Sequence, residues 1–391
     1  MSRFDYIAPI GDEEINAATE VLRSKKLSGF YKNLLGGEKV QQFEKDFAAY
    51  MGAKHGVGFN SGTSALHAAL AACGVQPGDE VIVPPYTFTA TASAVLMNFA
   101  RPVFVDVDPQ TLCMDPGLIE AVVTEKTRAI VPVHLYGKMA DMDRIMAVAK
   151  RHNLKVIEDA CQAPGSLYKG KKAGTIGDCG VFSFVETKNI VIGEGGMVIC
   201  NEEKTAETVR RTRNHGEAWA DSGTRDYLTH ILGFNFRMTE IEAAIGIEQL
   251  KKLDRFNSIR RENAEYLTEK LKKYDGLNPL EFKSDEVPHI YVLRVDEQKT
   301  GLSREEWVKR LTGEGIPVMA GYPRPLYKNP IFQTVNAYVK EPYTDVVCPV
   351  TEDVCRRSVW IKQIHTPLTT QDMDTVAAAV ERCLQRTGAN I

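Results

Sequence analysis

The sequence predicts an α/β protein: a large domain on a mostly parallel, mixed sheet flanked by helices, then a smaller C-terminal α+β domain. Three observations carry that expectation. Between about residues 55 and 200, short β-rich runs alternate with helical patterns. Several of these runs are apolar nearly throughout, as strands covered on both faces are. Beyond them the alternation gives way to one long helical stretch and a second, smaller set of elements.

The predicted strands are Glu80–Pro85, Pro102–Asp106, Ala129–Leu135, Lys155–Asp159, Gly180–Phe184 and Met197–Cys200. Helices are expected between them at Ser64–Cys73 (stopped by Gly74), Ser93–Asn98, Pro116–Val123 and Asp141–His152. Thr239-Glu-Ile-Glu242 has the spacing of a capping box and opens a helix running through Leu250 and Leu253 toward Tyr274. The dense charge of its second half marks it as a surface helix bridging two lobes. A strand at His289–Arg294 and helices at Arg304–Thr312 and Thr370–Leu384 complete the smaller unit. The division is expected near residue 255, giving a large domain over 1–255 and a small one over 256–391.

With 391 residues, 43% apolar and 25% charged, the chain has the composition of an ordinary globular protein. A net charge of −3 gives nucleic acid no electrostatic purchase, and the one basic cluster, Arg210-Arg-Thr-Arg213, reads as a solvated helix face. The eight cysteines are scattered, with no Cys-x-x-Cys pair and no Cys/His grouping at metal-ligand spacing, so no metal is expected. Reduced cysteines, no signal-peptide stretch and no apolar run of spanning length lead to the expectation of a cytoplasmic enzyme without membrane partners.

Four stretches carry possible chemistry. Asn60-Ser-Gly-Thr-Ser-Ala-Leu66 opens a helix, and Gly62 lets the backbone approach a ligand while first-turn amides face it, as a phosphate site requires; a plain N-cap reads the same way. Pro84-Pro-Tyr-Thr-Phe88 ends in an aromatic suited either to stacking on a flat heterocycle or to core packing. Asp159 closes a strand, where ligands of open α/β sheets gather, with Gln162 three residues on; a helix cap or a metal ligand is the alternative. Lys188 follows the apolar Phe182-Ser-Phe184 and precedes Gly193-Glu-Gly-Gly196, so desolvation of its stem would free the amine as a nucleophile; a solvated loop charge is the alternative. A lysine amine can form a Schiff base with pyridoxal 5'-phosphate (PLP), and a strand-end carboxylate can keep the pyridine nitrogen protonated.

Taken in order, these stretches resemble the sugar aminotransferase family of DegT/DnrJ/StrS type, a branch of PLP fold type I. The resemblance covers Gly36-Gly37 with Phe43-Glu44, the Asn60–Leu66 turn, Pro77–Pro84, Phe104–Asp108, Pro132–Gly137, Glu158–Gln162, Phe182–Met197 and Asn235-Phe-Arg-Met238. It implies that Lys188 is the Schiff-base lysine, Asp159 the partner of the pyridine nitrogen and Gln162 the contact to the ring hydroxyl. It further implies Phe88 as the stacking aromatic, Cys161 on the other ring face, and Gly62, Thr63 and Ser183 as phosphate ligands. Asn235 matches a phosphate contact donated from the second subunit, so a homodimer with shared active sites is expected.

The activity so implied moves an amino group from glutamate or glutamine to a keto-sugar, with a keto-cyclitol as the alternative acceptor. A non-catalytic regulatory protein on the same fold is a further rival, as is the related dehydratase class, which carries His at the lysine position. Arg213, Arg237 and Tyr327 are candidate substrate contacts. Three departures bear on the acceptor: Val185 where many members place His, Tyr or Gln; Arg324-Pro-Leu-Tyr327 in place of a proline-leucine-histidine ending; and a Ser358–Gln363 tail closer to the cyclitol and aminobenzoate branch.

Overall fold

The computed structural model describes Phe4 and residues 8–31, 33–219 and 225–385. Seven strands form the large sheet: β1 (His55–Phe59), β2 (Glu80–Val83), β3 (Arg101–Phe104), β4 (Thr127–Ile130), β5 (Lys155–Asp159), β6 (Cys179–Ser183) and β7 (Gly196–Cys200). Their spatial order is β1-β7-β6-β5-β4-β2-β3. β7 runs antiparallel to both neighbours and every other adjacent pair is parallel.

Alternation along the strands supplies two cores. Val81, Val83, Val181 and Val198 enter one apolar cluster. Ile82 and Val156 enter a second, and Phe182, Met197 and Ile199 a third, on the opposite face. That two-sided burial explains why the strands read as unbroken apolar runs. Six helices accompany the sheet: α1 (Asp12–Ser24), α2 (Glu38–Met51), α3 (Gly62–Ala72), α4 (Ala90–Met97), α5 (Met142–His152) and α6 (Glu203–Arg213). α3 is apolar on nearly every side and buried along most of its length, as a helix enclosed by sheet and other helices must be.

The helix α7 (Glu240–Leu271) begins with the expected capping box, Thr239 N–H donating to Glu242 Oε2 at 2.7 Å. It runs unbroken past residue 255, where the domain division was expected. Leu253 packs with the large-sheet core, whereas Ala264, Leu267 and Leu271 pack with the second unit. That unit holds an antiparallel sheet of β8 (Leu277–Pro279), β9 (Tyr291–Val295), β10 (Val318–Ala320) and β11 (Ser358–Ile361), in the order β8-β9-β11-β10. The helices α8 (Arg304–Gly313), α9 (Pro349–Arg357) and α10 (Thr370–Gln385) accompany it. Among the described residues no helix is long and apolar enough to cross a membrane.

Two local expectations fail. The helix expected at Pro116–Val123 is a set of turns with one short 3-10 segment, Glu120–Val122. There Asp115 Oδ1 takes the N–H of Gly117 at 2.8 Å, a local side-chain bond that competes with helix propagation. The strand expected to reach Leu135 stops at Ile130: Pro132 has no N–H for a ladder bond, and beyond it only an isolated bridge from Val133 to Asp159 remains before Tyr136 turns the chain with a left-handed φ of 59°.

Candidate active site

The carboxyl ends of β5 and β6 and the amino end of α3 meet at one place. Successive residues of β5 point to opposite faces. Glu158, fully buried, accepts from Gly174 N at 2.9 Å and from Ile176 N and Gly177 N at 2.6 Å each, and lies 2.8 Å from His134 Nε2. That anchoring fixes the strand end and leaves Asp159 on the other face. Asp159 is buried, with Oδ2 accepting from the Thr91 hydroxyl at 2.9 Å and Oδ1 from Cys161 N–H at 3.2 Å. Thr91 lies in the first turn of α4, and its hydroxyl is 3.2 Å from that of Thr87.

At α3 the Ser61 side chain caps Ser64 N–H. A Cβ placed on Gly62 would lie 2.9 Å from Ser183 Cβ and 3.3 Å from Cys161 Sγ, so these three residues share one small space that only glycine keeps open. Thr63 beside it is partly exposed. Below the turn, a Cβ on Gly196 would fall 2.4 Å from Ser61 O, so β7 runs directly under the helix start. Backbone amides at a helix start, a serine hydroxyl and a glycine-kept hollow are the groups from which an anion cradle is built.

Lys188 sits in the 184–193 loop, which closes on itself through Lys188 N to Val185 O (2.9 Å) and Ile192 N to Phe184 O (3.0 Å). Phe184 roots the loop among Phe43 and Phe47, with ring centroids 5.3 and 5.2 Å away. Burial pulls the lysine amine below its ordinary pKa, opposed in part by Cys161 and Asp159. The next residue, Asn189, is fully buried and lies 3.0 Å from His289 Nδ1, so the loop is tied to the second unit.

Gln162 Oε1 accepts from Tyr136 N–H at 2.8 Å, which accounts for the left-handed backbone at Tyr136. Tyr136 OH donates to Tyr86 OH at 3.1 Å, and Tyr86 OH to Ser358 Oγ at 3.1 Å, linking this wall to β11. Phe88 is 58% exposed in the chain, an unusual state for a phenylalanine that follows a core strand. Asn235 is exposed as well; it lies on the 234–237 segment, which bridges to Asn214 and, through Arg237, to Phe59 at the edge of the sheet.

The structure therefore brings Gly62, Asp159, Cys161, Ser183 and Lys188 to one place, with Gln162 on its wall. The three substrate candidates fare differently. Arg213 is wholly enclosed: its guanidinium is bound to Glu44, to Gly58 O and Leu34 O at 2.9 Å each, and lies over the Phe30 ring. It holds α6 to the start of the large domain and does not face solvent, so the solvated-face reading fails for it, as does substrate contact. Tyr327 is also buried, its hydroxyl donating to Glu352 at 2.8 Å and accepting from Cys348 N–H at 3.0 Å. It too is a packing residue. Arg237 remains half-buried, donating to Asn214 Oδ1 at 2.9 Å.

Sequence reasoning missed Thr91, Glu158 and Tyr136. The first had a signal: Thr87 and Thr91 are four apart, on one face of a helix start next to the Phe88 motif. The other two gave none, since their roles depend on residues far along the chain.

A mostly parallel seven-stranded sheet with one antiparallel strand, carrying an anion cradle, an enclosed carboxylate and a desolvated lysine at strand ends, defines a fold type I aminotransferase. Residues 9–381 match the model of the DegT/DnrJ/EryC1/StrS aminotransferase family, and the chain belongs to that family. It is 43% identical to a pleiotropic regulatory protein of Geobacillus stearothermophilus, over 83% of each chain. It is 39% identical to GDP-perosamine synthase of Caulobacter vibrioides, over 89% of this chain and 91% of the relative. It is 36% identical to L-glutamine:2-deoxy-scyllo-inosose aminotransferase of Streptoalloteichus tenebrarius, over 96% and 92%. The crystal structure of an aminotransferase from Psychrobacter cryohalolentis superposes with a TM-score of 0.89 at 32% identity, covering 98% of this chain and all of that one.

Proposed function

We propose that this aminotransferase uses PLP to move an amino group from glutamate or glutamine to a keto-sugar, nucleotide-linked, in the making of an amino sugar for surface polysaccharide or a secondary metabolite. The observation that carries the reading is the shared space of Gly62, Ser183 and Cys161 beside Asp159 and Lys188. Gly62, Thr63 and Ser183 would hold the phosphate, Asp159 the pyridine nitrogen, Gln162 the ring hydroxyl, and Phe88 and Cys161 the two ring faces.

Bound there, the cofactor supplies an electron sink for the carbanion left when the donor's α-proton departs. Lys188 carries that proton. Its lowered pKa keeps more of the amine neutral near pH 7, and a neutral amine accepts a proton where an ammonium does not. Thr91 and the Cys161 amide hold the two oxygens of Asp159 in place, so the carboxyl would be fixed toward the pyridine nitrogen.

The exposure of Asn235, of Phe88 and of Tyr227 (72%) and Leu232 (71%) supports a homodimer in which a second copy covers the site and lends Asn235 to the phosphate. Arg237, on the same segment, is then the remaining candidate for contact with the acceptor. Eight free thiols suit a cytoplasmic location.

A keto-cyclitol acceptor is the second reading, favoured by the Ser358–Gln363 tail and by the inosose aminotransferase relative. Lys188→Ala tests the common core: amino transfer from glutamate, followed as 2-oxoglutarate, should fall by about 10²- to 10⁴-fold or more, and the cofactor's visible absorbance band should vanish. Retention of the band would refute the role given to Lys188. A panel of nucleotide-linked keto-sugars and keto-cyclitols then selects the acceptor. Transfer to none of them, with no half-reaction from glutamate, would favour the regulatory alternative.

A further inference from the structure

Three of the eight cysteines meet at the end of the large sheet away from the anion cradle. Cys73 caps the C-terminus of α3, Cys179 begins β6 and Cys200 ends β7. The sulfurs of Cys73 and Cys179 are 3.7 Å apart. Cys179 and Cys200 face each other directly in the antiparallel register of β6 and β7. Because Gly62 at the other end of α3 packs on Ser183 at the other end of β6, helix and strand lie side by side. The thiols and the cradle are therefore separated by one strand length, roughly 13 Å.

We propose that Cys73, Cys179 and Cys200 form a redox modification site, in which a peroxide drives a reversible Cys73–Cys179 disulfide. Cys73 is the entry point, since it is half-exposed while Cys179 and Cys200 are buried. The Lys155 ammonium, paired with Asp178 at 2.7 Å, lies close to Cys73. Closure from a 3.7 Å contact to a bond of about 2.05 Å asks for less than about 2 Å of sulfur movement.

The chemistry balances with hydrogen peroxide as oxidant. The Cys73 thiolate attacks the O–O bond, one oxygen stays on sulfur as sulfenic acid, and the other leaves as hydroxide. The Cys179 sulfur then attacks the Cys73 sulfur and displaces the second oxygen, which takes the Cys179 proton and leaves as water. Two thiols are oxidised by two electrons and the peroxide is reduced to two waters. Cys200 faces Cys179 across the β6–β7 register and holds the Cys179 thiol in place for that attack.

Cys113, Cys348 and Cys355 provide the internal control: they are buried, unlike Cys73, and burial pushes each up to about 12, so a peroxide meets no accessible thiol there. No residue of the cradle is consumed, and activity is not the readout.

The test uses the reduced full-length protein, exposed to hydrogen peroxide, trapped with N-ethylmaleimide, digested and read by mass spectrometry. The expected product joins the Cys73 and Cys179 peptides, reverts with dithiothreitol, and forms at least about tenfold faster than any modification of Cys113, Cys348 or Cys355. Cys73→Ser, a half-exposed position that tolerates the change, should abolish it. Cys200→Ala should retain the link but slow its formation several-fold, and an unchanged rate would remove Cys200 from the site. Oxidation of Cys73 to sulfinic acid with no cross-link, or cross-linking seen only in denaturant, overturns the proposal.

Discussion

Asn189 Oδ1 and His289 Nδ1 are joined by a 3.0 Å hydrogen bond between residues one hundred positions apart. Burial holds the His289 ring well below its ordinary pKa, with Lys188 and Arg260 adding to the shift, so it is neutral and its Nδ1–H donates to Asn189. Its own N–H reaches Tyr136 O at 2.7 Å. One residue thus holds both the loop that presents Lys188 and the turn whose amide is taken by Gln162. Replacing His289 with Ala removes the ring's bond to Asn189 but keeps the backbone bond to Tyr136, so it should loosen the Lys188 loop, lowering kcat about tenfold or more and weakening cofactor binding, because small displacements of a reacting group are costly. Cofactor titration and steady-state kinetics check this. An unchanged kcat would show that the loop holds its shape without the bridge.

Gly62→Ala tests the cradle. The added methyl would sit 2.9 Å from Ser183 Cβ, and overpacking of this kind costs about 1–3 kcal/mol. Because the strain falls where the phosphate is placed, cofactor Kd should rise about tenfold or more. Equal affinity in the variant would move the phosphate elsewhere.

Arg213→Ala should act on stability. It leaves Glu44 enclosed without its cation, a loss of about 3–5 kcal/mol for a buried pair broken on one side. Thermal or urea unfolding reads that loss. If Arg213 contacted substrate instead, the variant would melt normally and show only a raised KM.

Acid should destabilise the protein through His67. It is 3% exposed, its Nδ1 has no partner among the described residues, and it lies edge-on to Phe234 and Phe236. Burial lowers its pKa from 6.5 to about 4. As pH falls through 6.5 the unfolded chain binds a proton that the folded chain refuses. The penalty therefore grows from that point and is complete near pH 4, at about 3 kcal/mol. His67→Phe should flatten part of the pH dependence of Tm. His365, also lowered to about 4 by burial, retains a share.

Much of this was written locally. Two-sided apolar runs announced the large sheet, and Thr239 and Glu242, three apart, announced the start of α7. Asp159, Gln162, Ser183 and Lys188 stand within thirty residues of one another, on strands and loops whose order the chain dictates. Arg213 and Tyr327 were misread for a physical reason. An arginine in a basic run and a tyrosine in a proline-rich loop look the same from sequence whether they meet solvent or a distant partner. Their partners are Glu44, 169 positions away, and Glu352, 25 positions away.

The sequence alone settled which groups are available: an amine, a carboxylate, a helix start with glycine, and an aromatic, each at the end of an element set by hydrophobic period and turn residues. Tertiary structure decided which of them share a space. It put Gly62 against Ser183, gave Asp159 the Thr91 hydroxyl, and tied the Lys188 loop to His289. Local pattern fixes an element because neighbouring residues bear most of its cost. A contact across a hundred residues is fixed only when sheet order and packing bring its two halves together.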